Sequence, residues 1–275
     1  MSLEGWPERL QVVDLATIVE ERDILFPFAM DEVIGKEVGD GVRLPMVHIW
    51  RHPRGFVMGL RDRRLPEAVR AMNTLRGQGY EVAVRNSGGA AVPLDPGVVN
   101  LSIIIPNPGK SLDFRDDFTI MVDLIKGALM ANGVHVEAGE ITGAYCPGDF
   151  DLSIQGRKFC GIAQRRLSKA FIVQAFVVVE GSGEERRTLV RSFYDQAAEP
   201  MAKETGTEAP TSHPLVETGT MASLAELGGP ASAEQFIAGV KKWLMTKGET
   251  ETLSGSELPL NKISEMIDVL RKRYE

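Results

Sequence analysis

The chain has 275 residues, 43% of them hydrophobic and 25% charged, the proportions of a globular protein long enough to bury a large core. Its net charge of −7 argues against a general binder of nucleic acid or of an anionic membrane surface. No apolar run approaches the roughly 18 residues that span a bilayer, and residues 1–21 lack the apolar stretch of a secretion signal, so a cytoplasmic address is expected.

In chain order, Pro27 opens a helix predicted over 27–38 and stopped at Gly39 to Gly41. Residues 44–50 and 56–60 read as strands on either side of a turn from His52 to Gly55. A helix is predicted over 65–78 and a strand over 80–84 that runs into the turn at Gly88 and Gly89. Strands follow near 91–94 and 98–105. Phe118, Met121, Val122, Ile125 and Leu129 make one apolar stripe on a helix over 116–132, with Gly133 placed to end it. Strands are then predicted over 134–137, 150–154, 158–164 and 171–179, the middle two joined by a hairpin turn at Gln155 and Gly156. A helix over 185–198 precedes a loop or linker over 199–214 rich in Pro, Thr, Glu and Gly. Three helical stretches close the chain, at 221–227, 233–245 and 263–274. The pattern predicts an α+β fold: a mixed, largely antiparallel sheet with flanking helices and a helical tail.

Three segments carry chemistry. Arg85 to Val92 places a cation, Ser87, Gly88 and Gly89 at the end of a strand; backbone N–H groups there can meet an oxygen-rich ligand, or the segment is simply a glycine turn. Gly143 to Leu152 places Cys146 among glycines and a proline, in a turn where a thiol is a liability unless it is used. Cys160, between Phe159 and Gly161 in a strand, reads as a buried structural thiol. In the third segment, Gly156 to Arg166, Lys158 follows Cys146 by twelve residues, and a return strand could bring its ammonium back to the cysteine; a solvated lysine on a strand is the other reading. Arg157, Arg165, Arg166 and Lys169 could form a basic patch for an acidic partner or a solvated strand edge. Two cysteines are too few for a disulfide framework. His48, His52, His135 and His213 show no metal-binding spacing, so no metal is expected.

Taken together, the order of Arg85, Ser87, Gly88 and Gly89 after a strand, then Gly156, Lys158, Gly161, Ile162 and Ala163, resembles the lipoate-protein ligase and octanoyltransferase superfamily, whose catalytic fold is shared with biotin protein ligases. The resemblance covers about residues 25–230, with 231–275 a helical extension packed on the same domain. The run Tyr145 to Ser153 looks like the branch of octanoyl-[glycine cleavage H protein] N-octanoyltransferases. The resemblance implies that Cys146 is an acyl-thioester nucleophile, that Lys158 lies near it and favours its thiolate, and that Arg85, Ser87, Gly88, Gly89, Gly161, Ile162 and Ala163 line the acyl and carbonyl site. An octanoyl group would pass from the glycine cleavage H protein to lipoyl domains of dehydrogenase E2 subunits, with no cofactor. Acyl carrier protein as the donor, an ATP-dependent lipoate ligase and a non-catalytic carrier-binding protein are the alternatives. Where many members carry a histidine–aspartate or histidine–glycine pair after the glycine turn, this chain has Leu94 and Asp95, which weakens the ligase reading.

Overall fold

The computed structural model describes residues 6–16, 22–107, 114–198 and 213–274. Nearly all of the linker predicted over 199–214 lies outside them. Strand β6 (Val98–Pro106), nine residues with seven buried, forms the middle of the molecule. Its alternate side chains go to opposite sides: Val99, Leu101 and Ile103 to one core, Val98 and Ile104 to the other. A strand covered on both faces has no solvated side, and 98–105 is accordingly apolar apart from Asn100 and Ser102.

On one flank β6 pairs antiparallel with β2 (Met46–Trp50), which lies parallel to β1 (Arg9–Asp14), itself parallel to β11 (Glu249–Thr252). On the other flank lie β10 (Ala170–Val178), β9 (Arg157–Arg166), β8 (Leu152–Ile154) and β7 (Glu137–Ala138), all antiparallel to their neighbours. These eight strands form the main sheet. A second sheet has β3 (Gly55–Met58) at its centre, parallel to β4 (Glu81–Val84) and antiparallel to β5 (Val92–Leu94). The strands predicted on either side of the turn from His52 to Gly55 therefore belong to different sheets.

Helix α1 (Phe26–Gly39) covers one face of the main sheet, along with α3 (Ala68–Gly77), α5 (Gly183–Ala197) and the small sheet; α2 (Leu60–Arg63) is a single turn beside them. Helix α4 (Phe114–Leu129) and α6 (Ala233–Leu244) cover the other face. The last helix, α7 (Leu260–Tyr274), packs on α1, so the tail contributes two helices and the edge strand β11. The fold is α+β with a mixed, largely antiparallel sheet, the class expected from the sequence.

Local chemistry accounts for the boundaries. Pro27 sits in the first turn of α1, where a missing N–H costs no hydrogen bond. Ser182 caps α5 by accepting from Glu185 N at 3.2 Å, and Ser232 caps α6 from Gln235 N at 3.3 Å. Gln155 and Gly156 have φ of 53° and 72°, the twist a two-residue hairpin turn requires. The helix predicted over 221–227 is not one. Only Ala225–Leu227 make a 3₁₀ turn. Residues 220–222 instead run beside β9, with Lys158 N donating to Thr220 O at 2.9 Å and Ala222 N to Lys158 O at 3.0 Å. Those backbone groups cannot also close a helix. Strands β1 and β11 were not predicted, and the strand expected over 134–137 is reduced to the two residues of β7. Among the described residues no helix is long and apolar enough to cross a membrane.

Candidate active site

Cys146 follows Tyr145 in the loop between β7 and β8 with φ of 50°, a left-handed conformation that non-glycine residues rarely hold without support. The support is Lys158, fully buried at the start of β9. Its Nζ donates to Tyr145 O at 2.9 Å, Cys146 O at 2.6 Å and Asp151 Oδ2 at 2.7 Å. An ammonium has three N–H donors, and all three are used. Asp151 Oδ2 also accepts from Gly148 N at 3.0 Å, tying the loop on its far side. Burial pushes the Asp151 carboxyl up to about 6, against the pull of the Lys158 charge and its hydrogen bond.

The sulfur meets different partners. Cys146 as a residue is 7% exposed, and its Sγ accepts from Ala90 N at 3.2 Å and from Arg85 Nη2 at 3.3 Å. Both donors come from the glycine turn after β4. Gly89 there has φ of 89°, and a Cβ on it would fall 2.4 Å from Arg85 Nη2 and 3.0 Å from Cys146 Sγ, so no larger residue fits. Behind the turn, Asn86 Nδ2 donates to Glu32 Oε2 at 3.0 Å, and Glu32 also takes Arg165 Nε and Nη2 at 3.0 and 3.1 Å.

From the sulfur a narrow cleft runs over one face of the main sheet. Arg85, Cys146, Gly161, Ile162 and Ala163 line it, among apolar walls that include Phe28, Trp50, Val92 and Leu94. Strand β6, whose residues 98–105 are expected from the sequence to wall an acyl slot, contributes Asn100, Leu101 and Ser102. One polar row crosses this face: Asp31 on α1 accepts from Ser102 Oγ at 2.6 Å and Gln174 Nε2 at 2.7 Å and pairs with His48 Nδ1 at 3.0 Å.

Not every residue singled out in the sequence reaches the cleft. Ser87, Gly88 and Gly89 are outside its lining; Gly88 N donates to Gln164 O at 3.4 Å, Ser87 Oγ is buried without a protein partner, and Gly89 backs onto Arg85 and the sulfur. Lys158 lies behind the cysteine rather than in the cleft. Cys160 sits in the other core, across the sheet from Cys146, and burial pushes its thiol well up. Arg165 and Arg166 are engaged with Glu32 and Asp117, Lys169 with Asp40, and Arg157 stands at the opposite end of β9, so the four make no single basic face. Asp95 pairs with Arg186 through two bonds of 2.6 and 2.7 Å. Among the described residues no group of three or more His, Cys, Asp or Glu is placed to hold a metal. Sequence reasoning gave no role to Asp151, Ala90, Asp62 or Tyr194. Asp151 stood inside the cysteine run and could have been weighed as a partner for Lys158; a backbone donor such as Ala90 N leaves no trace in residue type.

An apolar cleft ending on a thiol held by two donors suits covalent capture of an acyl chain. Residues 23–244 match the family model of the lipoyl protein ligase A/B catalytic domain. Over 214 residues the chain is 40% identical to the octanoyl-[GcvH]:protein N-octanoyltransferase of Lysinibacillus sphaericus, covering 78% of this chain and 75% of that one. It is 38% identical over 215 residues to the lipoyl-[GcvH]:protein N-lipoyltransferase of Listeria monocytogenes, with coverage of 78% and 75%. Among solved structures, a lipoate-protein ligase A bound with ATP matches with a TM-score of 0.67 at 17% identity, covering 96% of this chain and 95% of that one. The bipartite lipoate protein ligase of Thermoplasma acidophilum matches at 0.65 and 18% identity, covering 94% and 91%. These last two likenesses are of fold.

The chain belongs to the lipoyl protein ligase A/B catalytic domain family. Within that family it is an acyltransferase.

Proposed function

We propose that this acyltransferase moves an octanoyl group from the lysine of the glycine cleavage H protein to the lysine of lipoyl domains of dehydrogenase E2 subunits, through a thioester at Cys146. The observation that carries the reading is the Cys146 sulfur itself, held by Arg85 and Ala90 N–H at the head of an apolar cleft. The names of the curated relatives support the substrate and the donor.

An unperturbed thiol is only about 3% thiolate at neutral pH. A guanidinium and an amide N–H aimed at the sulfur fix its direction at the head of the cleft. The thiolate attacks the octanoyl-lysine carbonyl. Arg85 Nε, buried without a protein partner, is the donor available to the oxyanion. Collapse breaks the C–N bond, the departing lysine takes up a proton, and the acyl group remains on sulfur. The neutral amine of the acceptor lysine then attacks, the C–S bond breaks, the thiolate returns and the acceptor's extra proton is released. Net, one amide replaces another, so the cycle is near thermoneutral and needs no ATP. Lys158 takes no part in the proton transfers, since its three N–H groups end on protein acceptors and it has no lone pair. It holds the carbonyl of Cys146 and so the direction of the thiol. The octanoyl tail gains about 0.8 kcal/mol for each methylene buried in the cleft.

The test is octanoyl transfer to an apo lipoyl domain, read by intact mass without ATP, from octanoylated glycine cleavage H protein. The domain should gain one octanoyl group, and Cys146→Ala should lose the reaction. Transfer from octanoyl-acyl carrier protein alone would remove the donor assignment. ATP-dependent ligation of octanoic acid that survives Cys146→Ala would remove the cysteine mechanism.

A further inference from the structure

The turn that carries the two donors on the Cys146 sulfur is tied at its start by Arg85 N to Met58 O, by Asn86 to Glu32 and by Gly88 N to Gln164 O. The ties on the stretch from Gly89 to Ala91, which carries the N–H, lie behind it, outside the cleft. The peptide between Gly89 and Ala90 carries the N–H that reaches the sulfur. Its carbonyl lies flush against Gly59, where a Cβ would fall only 2.1 Å from Gly89 O. The next peptide, between Ala90 and Ala91, is held at both ends: Ala90 O accepts from Arg85 Nη2 at 2.7 Å, and Ala91 N donates to the Tyr194 hydroxyl oxygen at 3.3 Å. Arg85 Nη2 is the same atom that touches the sulfur.

Both supports trace back to one carboxylate. Asp62 Oδ1 accepts from the Tyr194 hydroxyl at 2.9 Å, and Asp62 Oδ2 accepts from Gly59 N at 2.9 Å. Asp62 is 3% exposed and Tyr194 fully buried. A continuous path therefore runs from Asp62 through the tyrosine hydroxyl, across one peptide, to the Arg85 guanidinium and the sulfur. In such a chain each bond polarises the next. We infer that Asp62 and Tyr194 are positioning residues for the nucleophile: through the peptides on either side of Ala90 they set the two donors that hold the Cys146 sulfur.

The inference rests on Cys146 being the nucleophile of the proposed reaction. Two features agree with it. Neither Asp62 nor Tyr194 lines the cleft, so neither is placed to bind the acyl chain. Burial next to Asp62 pushes the Tyr194 hydroxyl up, so it keeps its proton and can donate to Asp62 while accepting from Ala91. The charged and titratable groups facing the pair are Arg85, Cys146 and His213, the last with its ring stacked on Tyr194 at 4.9 Å and 9°. Burial pushes the Asp62 carboxyl up, against the pull of its hydrogen bonds from Gly59 N and the Tyr194 hydroxyl and of the Arg85 charge.

The experiment uses the full chain carrying Cys160→Ser, so that Cys146 is the one thiol. Alkylation by iodoacetamide is followed by intact mass across pH, together with kcat and KM for octanoyl transfer. Tyr194→Phe keeps the ring on His213 and removes only the hydroxyl. It should move the pH of half-maximal alkylation upward and lower kcat roughly tenfold, the scale of one hydrogen bond in a charged network, with KM for the donor within about twofold. A purely structural tyrosine would lower the melting temperature and leave the alkylation profile in place. A folded Tyr194→Phe with unchanged profile and kcat overturns the inference. Should that variant not fold, Asp62→Asn is read the same way, since its amide can still accept from Tyr194 but not also from Gly59 N, and an unchanged profile there is equally fatal. If the parent transfers no octanoyl group from any donor yet Tyr194→Phe still shifts alkylation, the proposed function fails and the positioning role stands.

Discussion

At the residue scale, the division of labour between the two cations beside Cys146 is set by geometry. A unit charge near a protein surface is worth about 4 kcal/mol to an opposite charge at 4 Å, at an effective dielectric constant of about 20. Arg85 reaches the sulfur itself, whereas Lys158 ends on the carbonyls of Tyr145 and Cys146 and on Asp151. Lys158 therefore acts mainly on backbone conformation, holding a φ of 50° that would otherwise relax. Asp151 makes that hold sensitive to acid. With its carboxyl raised to about 6, it takes up a proton as the pH falls through that value, and the ion pair with Lys158 weakens. The sign for folding is the opposite. A raised carboxyl binds its proton more tightly in the folded chain than in the unfolded one, so this group's contribution to stability grows as pH falls through about 6 towards the unfolded value. Transfer should thus fall several-fold between pH 7 and 5.5 with no matching drop in melting temperature from this group. In Asp151→Asn that acid limb should flatten onto a uniformly lower rate. Rates and melting curves measured on the same samples check it, and an undiminished acid limb in the variant would assign the titration elsewhere.

At the scale of elements, the strands and helices with a one-sided or fully buried pattern were legible, and those defined by distant partners were not. Helix α1 could be read from Pro27 to Val38, and β6 from its mostly apolar run. Strand β11, whose four residues alternate Glu and Thr, has no apolar signature; it exists because β1 offers a free edge. Met221 and Ala222 are apolar and helix-favouring, but the backbone of residues 220–222 is claimed by Lys158. The site divides in the same way. Cys146, Lys158 and Arg85 stand out by residue type, while Ala90 N, Asp62 and Tyr194 acquire their places only through folding. The packing of α4 on α6 gives an element-scale prediction on the face away from the cleft. Gly127 lies so close to the Trp243 indole that a Cβ would fall 1.8 Å from Nε1, and Trp243 is itself wedged edge-on against Trp6 at 4.9 Å. Gly127→Ala should separate the two helices and cost about 1–3 kcal/mol as overpacking, more than the roughly 1 kcal/mol of helix propensity it gains. Urea denaturation measures the loss, and octanoyl transfer should stay within twofold of the parent.

For the molecule as a whole, the sheet is the organising partition. One face, under α1, α3, α5 and the small sheet, carries the cleft, the cysteine loop and the polar row at Asp31. The other, under α4 and α6, is apolar and holds Cys160. The sequence showed the number and kind of strands well enough to predict an α+β fold. It could not show that two strands flanking one short turn, β2 and β3, would enter different sheets and so open the space the cleft occupies. Nothing in the residues from His52 to Gly55 separates a hairpin from such a parting; the choice is made by β6 and β5, which lie far along the chain.

The same partition has a consequence for oxidative stress. A cysteine converted to its sulfenic acid is commonly rescued by a neighbouring thiol, which traps it as a disulfide before further oxidation. Here the second thiol faces the opposite core, behind a continuous sheet. Peroxide should therefore inactivate the enzyme without forming an internal disulfide, and early reversal should depend entirely on added thiol. Peroxide-treated protein should show mass gains of one, then two and three oxygens at Cys146 and no loss of two hydrogens. Cys160→Ser should be inactivated at the parent's rate.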